Sequence, residues 1–221
     1  HALVARSLTC YVIDTDRGGV TERVIGADYA GVLIHDGFAG YDRFAFAAHQ
    51  SCLNHLLTRC GRMLAVATAG AVRFPRQVQA LLRHALGVRD RRDAGELSAH
   101  GLACCIGRLK ARLGRLLYWH RANPPNERLA GHLDRHRDQL LTFLTRPGIE
   151  ATNHLAEQAI RPAVLARKIS GGSRTWRGAL AHACLMTVIR SARQQGRDFC
   201  RLLADRLCSR DAHLAYLPAE P

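Results

Sequence analysis

The stretch "GVLIHDG", residues 31–37, follows an aliphatic run with a histidine, an acid and a glycine. Its aliphatic side chains are typical of a buried strand, and Asp36 follows where such a strand would end. Functional groups in open α/β sheets collect at the carboxyl ends of strands, so Asp36 is a candidate functional residue. A structural interpretation is also open, with Asp36 as the turn residue before Gly37.

The segments on either side of this strand predict a mixed α/β fold. Upstream, "ALVAR" (residues 2–6) and "TCYVID" (9–14) predict two short strands, and a short helix is expected within residues 16–30. Downstream, "RFAFAAHQ" (43–50) predicts a further strand before a helix in "SCLNHLLTRCGRML" (51–64), whose leucines fall on one side. Strands that alternate with helices in this order are typical of an α/β sheet.

From about residue 75 the pattern is helical, so that most of the chain is expected to be helix. Apolar residues recur at spacings of three and four over residues 97–121 and again over 127–145. "NPPN" (123–126) separates the two runs, because proline cannot continue a helix. We expect an antiparallel helical pair outside the sheet. The charged segment "GVRDRRDAGE", residues 87–96, predicts a solvated loop.

The charge of the chain favours a polyanionic partner. Lysine and arginine total 32 against 18 acids, a net charge of +14, and the planar guanidinium of arginine can bind two phosphate oxygens at once. We expect nucleic acid rather than a membrane surface, because no helix pairs an apolar stripe with a basic face. The eight cysteines are irregularly spaced and predict reduced thiols in the cytoplasm.

A second acid stands at the start of a basic helix. "NHLAEQAIRPAVLARK", residues 153–168, contains a single carboxylate, Glu157. Asn153, Glu157 and Arg161 are spaced i, i+4 and i+8, which places them on one helical face. Pro162 is expected to kink or end this helix. A surface ion pair between Glu157 and Arg161 is the structural interpretation.

Two carboxylates of this kind suit metal-assisted phosphate chemistry. Asp36 at a strand end and Glu157 on a helix would form an oxygen-rich pocket for Mg²⁺. Two such ions would stabilise the attacking and leaving oxygens of an in-line phosphoryl transfer. For either acid taken singly, the residue pattern alone favours the structural interpretation over the catalytic one.

Three blocks in order, "GADYAGVLIHDGFAGYD", "HQSCLNHLLTR" and "TNHLAEQAIRPAVLARKISGGSRTWRGA", resemble the catalytic region of bacterial transposases of the insertion sequence 66 family, of the DDE class. The resemblance covers most of the chain. It implies a ribonuclease-H-like core interrupted by a helical insertion. The implied division is residues 1–74 for the first part of the core, 75–147 for the insertion, and 148–221 for the catalytic helix, basic loop and closing helix.

The resemblance also implies roles for individual residues. Asp36 corresponds to the second acid of the catalytic triad and Glu157 to its glutamate, and both would hold Mg²⁺ or Mn²⁺, with two ions in the intact enzyme. Cys52 and His55 match a family signature that we interpret as structural, since one cysteine and one histidine fall short of a zinc site. Asn153, in the same block as Glu157, also belongs to the family signature and is likewise interpreted as structural.

The partner implied is double-stranded DNA, at both the element ends and the target, and the intact enzyme is expected to be a homo-oligomer in the bacterial cytoplasm, associated with the nucleoid and not with a membrane. Trp176 is compatible with stacking on an unpaired base or with packing. The cations expected to neutralise DNA are those that follow Glu157: Arg161, Arg167, Lys168, Arg174 and Arg177.

One departure from the family concerns the first triad acid, which in the family lies on a strand upstream of "HALVARSLTCYVID". We therefore expect an N-terminally incomplete catalytic fragment that is inactive alone. An alternative is a non-catalytic basic remnant that binds DNA and pairs with a full-length transposase. A nuclease or resolvase of the same fold is a third hypothesis.

Overall fold

A computed structural model describes residues 1–15, 19–68, 70–118 and 123–208. The described chain mixes α and β structure and is mostly helical, which confirms the coarse fold class. None of the described helices is both long enough and apolar enough to cross a membrane. The last residues of the predicted helix 97–121 and the end of the chain, from residue 209, lie outside the described residues.

Strands and helices are numbered in chain order. The strands within the described residues are β1 (Ala2–Val4), β2 (Thr9–Tyr11), β3 (Val32–His35) and β4 (Ala48–Ser51). The α-helices are α1 (Val20–Ile25), α2 (Leu53–Val66), α3 (Arg73–Asp93), α4 (Ala99–Tyr118), α5 (Pro124–Arg135), α6 (Thr142–Thr145), α7 (His154–Ser170), α8 (Trp176–Gln194) and α9 (Phe199–Cys208). Two 3₁₀ helices span Ala39–Arg43 and Arg137–Gln139.

The chain forms two compact units. The terminal unit combines residues 1–26 with the chain from residue 154 onward, and the central unit is residues 27–153. Each unit contains a sheet of two strands, β1–β2 in the terminal unit and β3–β4 in the central unit. The three-part division that the family resemblance implies stays a prediction.

In the terminal unit, helix α8 covers the edge of β2 that β1 leaves unpaired. Ser191 Oγ accepts a hydrogen bond from the Thr9 N–H at 3.2 Å and donates to the Thr9 carbonyl at 3.1 Å, while Thr187 Oγ1 accepts from the Tyr11 N–H at 2.9 Å. A two-stranded pair is marginal by itself, and buried backbone groups need partners. These hydroxyls therefore fix the antiparallel pair against the helix.

Small residues bring α7 and α8 close to the strands. Tyr11 packs between Ala159 of α7 and Ala183 of α8, and its hydroxyl donates to the Ala159 carbonyl. An alanine of each helix therefore faces Tyr11, which allows both helices to approach the strands closely.

Pro162 does not end its helix, which corrects that part of the sequence prediction. Helix α7 continues to Ser170 and stops before Gly171, whose φ of +71° suits glycine. Proline removes one N–H from the helix, so the carbonyl of Gln158 loses one bond. Both Pro162 and Gln158 are exposed, and water can take the place of that bond.

The central unit has one continuous apolar core beside the parallel pair β3–β4. Burying a leucine or phenylalanine side chain contributes about 1.5–3 kcal/mol each, so this core is the main source of stability of the unit. Each of α2 to α6 contributes to the core at least one side chain that is at most 1% exposed: Leu53, Leu82, Leu109, Leu133 and Phe143.

The predicted helix over residues 127–145 is interrupted, because β4 takes its hydrogen-bonding groups. The Phe143 N–H donates to the Gln50 side chain at 2.9 Å, and the Thr142 hydroxyl donates to the His49 carbonyl at 2.6 Å. These bonds split the segment into α5, a 3₁₀ turn and α6, although its leucines are buried as the spacing predicts. Helix α6 contacts β4, so this half of the predicted pair does not lie outside the sheet.

The predicted loop over residues 87–96 is also wrong, since α3 continues to Asp93. Val88 is buried in the core, and the charged residues around it occupy the outer face of the same helix. The helix ends at Asp93, and Gly95 two residues later has a φ of +74°, which allows its N–H to bond to the carbonyl of Arg92.

The strand predicted over residues 43–50 is shorter and shifted, to Ala48–Ser51. Phe44 instead inserts into the interior with no exposed surface, directly after the 3₁₀ helix Ala39–Arg43. The alternation of phenylalanine with alanine indicated a strand, but it belongs to this turn.

Candidate functional site

Asp36 follows β3 directly, as the sequence predicts, and its side chain is exposed. Its Oδ1 accepts a hydrogen bond from the Phe38 N–H at 3.1 Å, and Gly37 between them has a φ of +90°. Asp36 therefore stabilises the turn with one oxygen, as the structural interpretation expects, and its carboxylate faces solvent at the end of the strand, where its catalytic role stays a prediction.

A chain of hydrogen bonds through two histidines fixes the backbone beneath this turn. The Gly37 N–H donates to His35 Nδ1 at 3.1 Å, so a neutral His35 carries its proton on Nε2. That Nε2 donates to His49 Nδ1 at 3.0 Å, and His49 Nε2 donates to the Phe44 carbonyl at 3.1 Å. Each ring is thus held in one tautomer.

The surroundings keep His35 uncharged near neutral pH. The pKa of His35 is lowered to about 4, mainly by burial and also by His49, and the neighbouring Asp36 carboxylate opposes this shift only in part. A proton added to His35 would also have to occupy Nδ1, which already accepts the Gly37 N–H. Asp36 is therefore the charged group at this strand end.

Helix α5 supplies a third imidazole to the same turn. A Cβ atom placed on Gly37 would lie 3.2 Å from His132 Cε1, so the His132 ring stands against the turn. The pKa of His132 is lowered to about 4, mainly by burial and also by the neighbouring groups His136, Arg59 and Arg135. The sequence showed no signal for this grouping, because its histidines come from β3, β4 and α5 at unrelated spacings.

Cys52 and His55 lie at the start of α2. Cys52 is buried, and its sulfur accepts the Asn153 N–H at 3.4 Å, while the Leu53 N–H donates to the Ala151 carbonyl at 3.0 Å. Two residues of the family signature, Cys52 and Asn153, are therefore in contact. His55 is exposed in the first turn of α2.

Glu157 is exposed in the first turn of α7, where the helix dipole favours an acid. It belongs to the terminal unit, whereas Asp36 belongs to the central unit, and a metal site shared by the two carboxylates stays a prediction. The amide oxygen Oδ1 of Asn153 is buried and has no hydrogen-bond partner among the described residues.

We call five of the cations that follow Glu157 the basic run, and all five are exposed: Arg161, Arg167, Lys168, Arg174 and Arg177. No acid occurs anywhere in residues 158–197, which contain eight arginines and lysines. No cation of the basic run takes part in an ion pair within the part of the chain that the structure describes. This finding leaves the Glu157–Arg161 ion pair without support.

The two acids have the chemistry that a hard divalent cation requires. Mg²⁺ and Mn²⁺ prefer carboxylate oxygens and retain several waters, which calls for exposed acids. Asp36 and Glu157 both satisfy this requirement, and neither is buried among apolar side chains.

Comparison with known proteins assigns the family. The family model described as "Transposase IS66 family" matches residues 1–181, a region that contains Asp36, Glu157 and the whole basic run. The chain therefore belongs to the IS66 family of transposases.

The similarity to individual proteins is more limited. The uncharacterized protein y4jO of Sinorhizobium fredii (strain NBRC 101917 / NGR234) is 30% identical over 107 residues, which is 48% of this chain and 32% of that protein. The match thus spans about a third of the length of this relative. No solved structure matches the chain.

Proposed function

We propose that this chain is the catalytic region of a DDE-type transposase, which cuts the phosphodiester at the ends of a mobile element and joins the freed 3′-hydroxyl to target DNA. The observation that carries the proposal is the IS66 family match, because it includes both candidate acids and the basic run. An exposed acid directly after a parallel strand and an acid-free cationic segment support it from the structure.

The proposed fold is a ribonuclease-H-like core. Its support is the order of elements: an antiparallel strand pair, a short helix, and then a strand that ends in Asp36 and pairs in parallel with the next strand. Helices α3 to α6 correspond to the helical insertion, and α7 carries the glutamate.

Asp36 and Glu157 are proposed to hold two Mg²⁺ or Mn²⁺ ions. Bound divalent ions supply charge stabilisation to the attacking and leaving oxygens of a phosphoryl transfer. The protein's own contribution is positional. The turn at Gly37 and the bond from Phe38 orient Asp36, and the neutral His35 beneath it adds no competing positive charge.

The basic run is proposed to bind the phosphates of double-stranded DNA. Contacts of this kind set the position of the duplex without reading its sequence. Arginine suits the task, because its guanidinium can bind two phosphate oxygens in one plane. We also propose that the intact enzyme acts as a homo-oligomer on the two element ends.

A nicking assay on a supercoiled plasmid that carries element ends tests the proposal. The protein is assayed as the 221-residue chain and as a fusion with the upstream strand and aspartate of an IS66 transposase. We expect Mg²⁺-dependent nicking by the fusion, and a loss of about a thousandfold or more in its Asp36→Asn and Glu157→Gln variants.

The controls separate chemistry from binding. Glu157→Gln should retain DNA affinity, and removal of the divalent ion with a chelator should stop nicking by the unaltered fusion. Equal nicking by the fusion and its Glu157→Gln variant would remove Glu157 from the mechanism. DNA binding by the fusion without any nicking would instead favour the basic DNA-binding remnant.

A further inference from the structure

An exposed tryptophan stands in the middle of the acid-free segment. Trp176 is the first residue of α8, and 53% of its surface is accessible. Tryptophan usually buries most of its large apolar surface, so an exposed one is a candidate contact for a partner. Ala179 and Ala183, which follow on the same side of α8, are only 7% and 6% exposed, so the buried part of this side begins after Trp176 and the tryptophan itself is not a buried anchor of the core.

Trp176 is held on a capped helix and not on a free loop. The Thr175 side chain accepts the Gly178 N–H at 3.1 Å and closes the first turn of α8. A Cβ on Gly178 would lie 3.2 Å from that hydroxyl, so glycine allows the cap to close tightly. The ring is therefore presented from a fixed backbone position.

The neighbours of Trp176 define the chemistry of the surface. Leu180, one turn further along α8, is 43% exposed and extends the apolar area. Arg174 and Arg177 flank the tryptophan in sequence and are exposed, with no acid nearer in sequence than Glu157 and Asp198. An aromatic platform beside cations is the combination that binds single-stranded nucleic acid, because bases stack on the ring and phosphates meet the charges.

A second copy of this chain fits the surface around Trp176 less well than single-stranded nucleic acid does. A symmetric contact through the same patch would bring two acid-free cationic segments together, and like charges repel. A paired base within a duplex also fits badly, since its two faces are already covered by its neighbours in the stack.

We propose that the surface formed by Arg174, Trp176, Arg177 and Leu180 binds an unpaired nucleotide of DNA, with the base stacked on Trp176. This inference rests on the proposed function, because the same basic run is the proposed duplex contact. It adds a substrate feature to that function, namely a strand whose end is frayed or displaced beside the duplex.

The test compares three labelled DNA probes by fluorescence anisotropy with the 221-residue chain. The probes are a duplex, the same duplex with a short adenine tail on one 3′ end, and the same duplex with an abasic tail of equal length. The abasic tail carries the same phosphates as the adenine tail but offers no base. We expect the adenine tail to bind about tenfold more tightly than the abasic tail.

Substitutions assign this preference to the ring. Trp176→Ala and Trp176→Leu should abolish the preference for adenine over abasic tails, while Trp176→Phe should restore part of it. Arg174→Ala should weaken binding of all three probes by a similar factor, because it removes a phosphate contact only. In a Trp119→Phe background, the fluorescence of Trp176 should be quenched by the adenine tail and not by the abasic tail.

The outcomes separate this inference from the proposed function. Equal binding of adenine and abasic tails by the unaltered chain would overturn the stacking site and leave duplex binding intact. Failure to bind any of the three probes would overturn both proposals. Concentration-dependent self-association that Trp176→Ala abolishes, with no preference among the tails, would identify the patch as a contact between copies and would also overturn the stacking site.

Discussion

Arginine plays different parts at the end of α3 and in the basic run. At the end of α3, arginines lie beside acids: Arg89 pairs with Asp90 and Arg92 with Asp93, each at 2.7 Å. Arg91 in the same segment pairs with Glu96 at 3.5 Å. In residues 158–197 the arginines have no acid in their own segment. The net charge of the chain therefore does not identify a DNA surface. The proposed DNA surface is assigned from the local balance of acids and bases instead, because a paired guanidinium has already lost part of its attraction for phosphate.

The largest expected effect of this difference is on DNA affinity. Replacing all five cations of the basic run with alanine should weaken duplex binding at about 0.1 M salt by up to about four orders of magnitude, since each lost phosphate contact forgoes the release of about one counterion. Fluorescence anisotropy with a labelled duplex measures this. The matched control is Arg89→Ala with Arg91→Ala, which should change the affinity little.

A smaller effect, the dependence of stability on pH, distinguishes the histidines of the central unit from the arginines of the basic run. Guanidinium groups stay charged at all relevant pH values, whereas His35 in the central unit has a pKa of about 4 when folded and an ordinary value of 6.5 when unfolded. Between these pH values the unfolded chain binds more protons at His35 than the folded chain does. The contribution of the neutral His35 to the unfolding free energy is therefore fully present above pH 6.5 and is lost as the pH falls towards 4. The loss should reach up to about 3 kcal/mol.

Urea denaturation at several pH values measures this loss. The His35→Gln variant is expected to be less stable at pH 7 but to show a flatter dependence of unfolding free energy between pH 6.5 and 4. A variant with an unchanged slope would show that the acid sensitivity arises elsewhere.

The smallest expected effect is that one arginine variant changes only the stability of the protein, while another changes only its DNA affinity. Arg92 is mostly buried and donates to the Phe143 carbonyl at 2.6 Å, so Arg92→Ala should reduce the unfolding free energy by about 1–2 kcal/mol and leave DNA affinity unchanged. Arg174→Ala should do the opposite, with a stability change within about 0.5 kcal/mol. Urea denaturation measures the unfolding free energy of the two variants, and fluorescence anisotropy measures their DNA affinity. A loss of DNA affinity in Arg92→Ala would weaken the distinction between paired and unpaired arginines.

Local patterns predicted the elements that carry the candidate acids. The strand before Asp36 and the helix that bears Glu157 were both recognisable, because an aliphatic run and an i, i+4 spacing are properties of neighbouring residues. The chemical character of the basic run was equally visible, since the distribution of acids along a sequence needs no fold to be counted.

Long-range contacts explain what the sequence did not predict. The break after α5 depends on Gln50 and His49, which lie about ninety residues from the groups they bind. The extension of α3 depends on Val88 fitting a core that only the packed helices create. His132 lies on α5 and contacts the turn at Gly37, and no spacing along the chain predicts this contact.

We propose that DNA is bound by the basic run, whose cations have no ion pair among the described residues, and not by the overall charge of the chain. The direct test is the slope of log K against log salt for duplex binding by the unaltered chain, by Arg174→Ala with Arg177→Ala, and by Arg89→Ala with Arg91→Ala. The first variant should shallow the slope by up to about two, at about 0.9 for each phosphate contact, and the second should leave it unchanged. Equal slopes for all three proteins, or a shallower slope only in the second variant, would contradict the claim.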